Sequence, residues 1–235
     1  SALYLVAEEA HHKLVSIAAH MLGCAEADVV LEEREAFSRQ DRGKTVAFSE
    51  LAAAAYQEEK LPPGVTPGLD FSGSFTLGQP YQSPHSFSTH VVAVQVSREN
   101  GVIEILDYTA IHDCGRILNP MLVEGQVHGG IAQGIGQALW EGMEYTEDGQ
   151  PLTASLMDYA MPSAQGLPEL RLDTYETLSP MNPLGIKGVG ELPTVAAPAA
   201  VANAVMDALS GFGVQHIDTP LTPEKVWNVM QGRIG

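Results

Sequence analysis

Glu191 stands at the end of Pro183-Leu184-Gly185-Ile186-Lys187-Gly188-Val189-Gly190-Glu191-Leu192-Pro193, where three glycines within six residues let backbone approach a ligand closely. A single carboxylate, partly desolvated among glycines and prolines and delivered just ahead of an Ala-rich helix, is suited to removing a proton, so Glu191 is the candidate catalytic residue. A phosphate loop does not fit, because Lys187 precedes the last glycines and no Gly-Lys-Ser/Thr follows. A dinucleotide fingerprint does not fit either, since no strand-like run precedes the segment and G-x-G-x-x-G is incomplete. The remaining choices are a ligand-lined loop and a solvated turn.

Metal-ligating residue types are present in patterns that do not converge. His11, His12 and His20 share one amphipathic segment without an i, i+4 pair, and His85 and His90 are separated by five positions. His112, Asp113 and Cys114 are consecutive, and neighbours on an extended strand point to opposite faces. Cys24 and Cys114 form no CxxC, so neither an iron–sulfur cluster nor a structural zinc site is encoded, no protein metal ligand is assigned, and a reducing cytoplasm is the expected compartment. With 12 basic and 29 acidic residues, the net charge of −17 opposes binding to nucleic acid or anionic lipid. No apolar run of membrane-spanning length occurs, so no membrane span is expected.

The elements that must position these residues follow from periodicity and capping. Residues 3–22 read as an amphipathic helix ended by Gly23, 28–31 as a short strand, 41–44 as a turn and 45–48 as the partner strand; Ser49 is expected to cap a helix over 50–59. Proline and glycine accumulate over 61–84, marking a long loop. Alternation over 89–96 and 102–111 around Asn100-Gly101 predicts an antiparallel hairpin. Asn119 and Pro120 open a helix to about Trp140 that contains Gly125, Gly129, Gly130, Gly134 and Gly136, at a cost of about 1 kcal/mol each relative to alanine. Close approach of another backbone or a flat cofactor would offset that cost. A second hairpin is expected over 141–155, a strand over 170–177, a helix over 194–209 and a last helix from Thr222-Pro223. Strands mixed with helices without strict alternation predict an α+β fold, layered helices on mixed or antiparallel sheets, with residues 1–84 as an N-terminal lobe and 85–235 as a C-terminal lobe.

Several motifs in order add a family resemblance. Asp113-x-Gly115 through Asn119-Pro120, Glu124-Gly125-Gln126-Val127-x-Gly129-Gly130-x-x-Gln133-Gly134, Asp158-Tyr159-x-Met161-Pro162, Gly185-x-Lys187-Gly188-x-Gly190-Glu191 and Ala199-x-x-x-Asn203-Ala204 together resemble the C-terminal molybdopterin-binding region of the large subunit in the xanthine dehydrogenase, aldehyde oxidase and aerobic carbon monoxide dehydrogenase family. The resemblance implies a molybdenum–molybdopterin cofactor, in bacterial relatives commonly its cytosine dinucleotide form. It implies hydroxylation of an aldehyde, N-heterocycle or similar small molecule with oxygen from water, Glu191 taking the proton from the molybdenum-bound hydroxyl. Gln126 matches the glutamine beside the pterin, and Asp113, Asn119, Lys187, Gly188 and Gly190 match cofactor-proximal positions. Family large subunits are far longer, so the chain is expected to be a fragment or one part of a split large subunit, completed by another polypeptide, with iron–sulfur clusters and FAD on partner chains in a heteromeric complex. The alternative is a non-catalytic structural or assembly subunit that keeps the fold.

Overall fold

The structure, a computed structural model, describes residues 1–77 and 84–233. The chain divides into two compact units, Ser1–Pro80 and Tyr81–Gly235. Positions 78–83 of the expected proline- and glycine-rich loop lie outside the described residues.

The first unit begins with α1 (Ala2–Leu22), which stops where Gly23 turns left-handed at φ 69° and its N–H caps the Ala19 carbonyl. A three-stranded antiparallel sheet follows, β1 (Val29–Glu32), β2 (Glu35–Ser38) and β3 (Asp41–Ala47), and then α2 (Phe48–Ala54). Residues 41–44, expected as a turn, begin β3, and the turn proper is displaced to Arg39–Gln40 because β2 is an additional short strand. The cap of α2 is not Ser49: Ala47 stands at the N-cap, its N–H donating to Glu50 Oε2 at 3.2 Å, and the helix ends at Ala54 rather than near residue 59. Ile17, Ala18, Leu22, Leu51 and Ala54 join the sheet's inner residues Val29, Ala36 and Val46 in one buried cluster. Each fully buried large aliphatic side chain there contributes about 1.5–3 kcal/mol.

The second unit carries the expected hairpin, β4 (Phe87–Val96) and β5 (Ile103–Asp113), with β6 (Leu170–Thr174) added parallel to β5. The parallel pairing needs a long crossover, and that crossover contains α3 (Pro120–Leu139). The α4 helix (Leu192–Ala208) packs against β4, α3 packs on α4, and α5 (Pro223–Met230) closes the chain. The result is an α+β fold, as the mixed pattern predicts. The second expected hairpin reduces to one bridge, Tyr145 to Pro151, because the segment 141–155 forms turns stabilised by Thr146 and Thr153 side chains instead of a ladder. Among the described residues no helix is long and apolar enough to cross a membrane.

Helix packing explains the glycines of α3. A Cβ at Gly130 would lie 2.4 Å from the Pro193 ring, one at Gly134 would lie 2.5 Å from Ala197 Cβ and 2.8 Å from Pro198 Cδ, and one at Gly136 would lie 2.4 Å from Pro162. The missing methyls let α4 seat two proline rings against α3, burying Ile131, Ile135, Ala197 and Val201. Gly125 and Gly129 are different: a Cβ at either would meet nothing within 4 Å, so their stretch of α3 is open. The outward face of the hairpin is also uncovered, with Phe87 at 63% and Val91 at 64% exposure.

Candidate functional site

The site is assembled where β5 ends, α3 begins and α4 begins. Asn119 stops the extended chain and caps α3, its Oδ1 accepting from Leu122 N at 3.2 Å, with Pro120 as the first helical residue. Asn119 is thereby committed to its own helix. Six residues earlier, Asp113 Oδ1 accepts from Gly115 N at 2.9 Å and forms the turn that leaves the sheet. Gly115 has φ +67°, and a Cβ there would lie 2.3 Å from Gly185 O, so only glycine admits the loop at this point.

Main-chain bonds fix that loop to the turn. Lys187 N donates to Cys114 O at 2.9 Å, while Arg116 N and Ser179 N both donate to Gly185 O at 3.1 Å. Asn182 binds Ile186 twice, through Nδ2 to O at 2.9 Å and by accepting from N at 3.1 Å. Beneath the loop, Lys187 Nζ pairs with Asp113 Oδ2 at 2.9 Å, with side-chain exposures of 7% and 11%. Lys187 Nζ also donates to Thr177 Oγ1 at 2.6 Å, and Thr177 donates its hydroxyl to Asp113 Oδ2 and its N–H to Oδ1. Burial pulls the Asp113 carboxyl upward, but the Thr177, Lys187 and Gly115 bonds outweigh it and hold the group well below the usual carboxylate range.

Past Lys187 the loop runs out to Gln126 and Glu191. A Cβ at Gly190 would be 3.2 Å from Gln126 Oε1, whereas one at Gly188 would meet nothing within 4 Å. Gly190 therefore lies against the Gln126 amide, one helical turn from the open Gly129. Glu191 is the N-cap residue of α4, with φ −85° and ψ −26° and no side-chain capping bond to its own helix. It lines a cavity of ≈ 320 Å³ between Pro84–Ser86 and Gly188–Leu192. The expected partial desolvation of Glu191 is not met, for its side chain is exposed. Glycine neighbours supply no bulk to cover it. A larger cavity of ≈ 610 Å³, between residues 212–218 and α5, contains none of these residues.

Gly190 thus lies against Gln126, Gly188, Gly190 and Glu191 line one cavity, and Asp113 and Lys187 are turned inward onto each other. Thr177 went unread in the sequence because nothing local distinguishes it; its partners are 64 and 10 positions away. A second buried chain was legible in principle. His90 Nδ1 lies 2.8 Å from Tyr108 Oη, and His90 Nε2 lies 3.1 Å from His112 Nε2. The period-2 alternation of β4 and β5 puts all three on the core face. Burial, and then repulsion from His112, pushes His90 down to about 4, and burial lowers His112 as well. Both rings are therefore neutral near pH 7. Among the described residues no group of three or more His, Cys, Asp or Glu side chains is placed to hold a metal ion.

The chain as a whole has relatives. The Molybdopterin cofactor-binding domain family matches residues 1–168. The large subunit of nicotine 6-hydroxylase from Paenarthrobacter nicotinovorans is 39% identical over 223 residues, which is 94% of this chain and 27% of that protein. The carbon monoxide dehydrogenase large chain of Hydrogenophaga pseudoflava is 34% identical over 98% of this chain and 28% of its own length. Among solved structures, quinoline 2-oxidoreductase from Pseudomonas putida 86 superposes with a TM-score of 0.83 at 36% identity, covering 97% of this chain and 29% of that one. The chain thus spans under a third of the length of the proteins it matches. On the family match and these likenesses, the chain belongs to the molybdopterin cofactor-binding domain family of the molybdenum hydroxylases and corresponds to one region of their large subunits.

Proposed function

We propose that this chain supplies the general base and one wall of the cofactor site in a molybdenum hydroxylase acting on an N-heterocycle or aldehyde. The observation that supports the reading is the position of Gly190, the chain neighbour of Glu191, against Gln126, which stands between the open Gly125 and Gly129 of α3. That stretch fits a flat pterin, because Gly125 and Gly129, one turn apart, leave open space where the other glycines of α3 are filled by proline rings. The Gln126 amide offers two donors and an acceptor at its edge. The molybdenum–pterin group, when bound, supplies two-electron oxidation of a carbon centre with oxygen taken from water. Glu191 then accepts the proton released by the oxygen nucleophile, a role that typically contributes 10²–10⁴-fold to rate.

The exposure of Glu191 and the uncovered hairpin face are explained if the remaining part of the large subunit packs over them and dries the site. Iron–sulfur and flavin subunits would take the electrons onward, and the cytosine dinucleotide form of the cofactor is the expected one. The relatives' names support an N-heteroaromatic substrate, since nicotine 6-hydroxylase and quinoline 2-oxidoreductase are both named for one. The test is to fill the cradle. In the assembled protein, Gly129→Leu should abolish molybdenum and pterin content while circular dichroism stays unchanged, because a Cβ at 129 meets no atom of this chain within 4 Å. Full molybdenum content in that variant contradicts the placement, and a parent assembly without molybdenum favours the non-catalytic structural role instead.

A further inference from the structure

In the cluster of Asp113, Lys187 and the exposed Thr177, the Asp113 carboxylate has its acceptor sites filled from within the chain. The two carboxylate oxygens of Asp113 offer about four acceptor sites, and four donors fill them: Gly115 N at 2.9 Å, Thr177 N at 3.2 Å, the Thr177 hydroxyl and Lys187 Nζ at 2.9 Å. Lys187 spends two of its N–H groups on Asp113 and Thr177, and the Phe87 ring centroid, 5.3 Å from Nζ, shields the ammonium further. The direction of each bond is forced. An ammonium only donates and a carboxylate only accepts, so the single hydroxyl proton of Thr177 goes to Asp113 while its oxygen accepts from Lys187.

The cluster joins three segments distant in sequence: the end of β5, the stretch after β6 and the glycine loop. We propose that it is a latch and that Thr177 is its keystone, a positioning residue that sets where the 188–191 segment lies and hence where Glu191 acts; the catalytic half of this inference rests on the function proposed above. Between the Lys187 anchor and the first turn of α4 stand only Gly188, Val189, Gly190 and Glu191, and neither glycine has a side chain to hold the backbone in place. Val189 packs against the core between the two glycines, so loss of the anchor reaches Glu191 as a displacement of this short segment about that one contact, and a shift of about 1 Å at a reacting group can cost on the order of a hundredfold in rate.

The test compares Thr177→Val, which keeps shape and deletes the hydroxyl, with Thr177→Ser, which restores it, in the full assembled protein. Amide hydrogen exchange is read at Arg116, Ser179 and Lys187, whose N–H groups bind Gly185 O and Cys114 O. Exchange at these amides should accelerate roughly tenfold or more in Thr177→Val and stay within about twofold of the parent in Thr177→Ser, as expected for one net hydrogen bond. With molybdenum content retained, kcat should fall about 10- to 100-fold in Thr177→Val with KM nearly constant, and recover in Thr177→Ser. If Thr177→Val fails to assemble, Thr177→Cys, a weak donor of similar volume, takes its place. Unchanged exchange in the hydroxyl-free variant overturns the latch, as does equal damage in Thr177→Ser; faster exchange with kcat intact overturns the positioning role. A parent without molybdenum or turnover counts against the proposed function alone, and the exchange comparison still judges the latch.

Discussion

Adding one methyl group to α3 should have opposite effects at Gly129 and Gly134. At Gly134 the new Cβ would lie 2.5 Å from Ala197 Cβ, 2.8 Å from Pro198 Cδ and 3.2 Å from Pro198 N. Carbon atoms pack at about 3.5–4.0 Å, and a proline ring and helical backbone cannot rotate aside, so α3 and α4 must separate by about 1 Å. Overpacking of this kind costs about 1–3 kcal/mol. Rigid partners place this case at the upper end, and the helix-propensity gain of about 1 kcal/mol leaves Gly134→Ala about 2 kcal/mol less stable. At Gly129 the Cβ meets nothing within 4 Å, so only the propensity gain remains and Gly129→Ala should be about 1 kcal/mol more stable. The difference of about 3 kcal/mol is measured by urea unfolding followed by circular dichroism, with unchanged m-values confirming that the denatured state is the same. Equal shifts of the same sign in the two variants would refute the assignment of one glycine face to helix packing and the other to open space.

Two further outcomes follow from buried charge. Lys187→Met leaves the Asp113 carboxylate buried without its cation and should cost about 3–5 kcal/mol in the same unfolding assay, with Asp113→Asn added to it recovering part of the loss; additive losses would show that the pair is not coupled. The His90–His112 pair should make the second unit acid-sensitive. His90 has its folded value pushed down to about 4, below the ordinary 6.5, so the unfolded chain binds the proton first and stability is full above about pH 6.5 and lost as pH falls towards 4. That gap corresponds to about 3 kcal/mol at most, which partial solvent access reduces to about 1–2 kcal/mol. Unfolding free energies should therefore fall between pH 7 and pH 5 in the parent and less so in His90→Gln, and equal slopes would remove the pair as the cause.

What the sequence made legible was the part written in local pattern. Asn119-Pro120 announces α3, Asn100-Gly101 announces the hairpin, and Gly23 announces the end of α1, because caps and turns are set by residues within a few positions. The cost of five glycines in α3 pointed to close approach, yet sequence could not say that Gly130, Gly134 and Gly136 answer to proline rings while Gly125 and Gly129 remain open; that depends on how α4 and the segment at Pro162 pack on α3. Short strands were misplaced for the same reason: β2 is a four-residue strand defined by pairing on both sides, not by its own alternation. Family motifs singled out Asp113 and Lys187 but not Thr177, since a threonine acquires its meaning only when three distant segments meet. The exposure of Glu191 was likewise beyond sequence, because it depends on what packs over the start of α4 and not on the neighbouring residues alone.

Glu191 is the residue on which the proposed chemistry turns. In the assembled protein, Glu191→Gln keeps shape and hydrogen-bonding reach while removing the proton acceptor, so molybdenum and pterin should remain at parent stoichiometry and turnover should fall on the order of a thousandfold or more. Turnover within a few-fold of the parent at full molybdenum occupancy would contradict the assignment of Glu191 as the base.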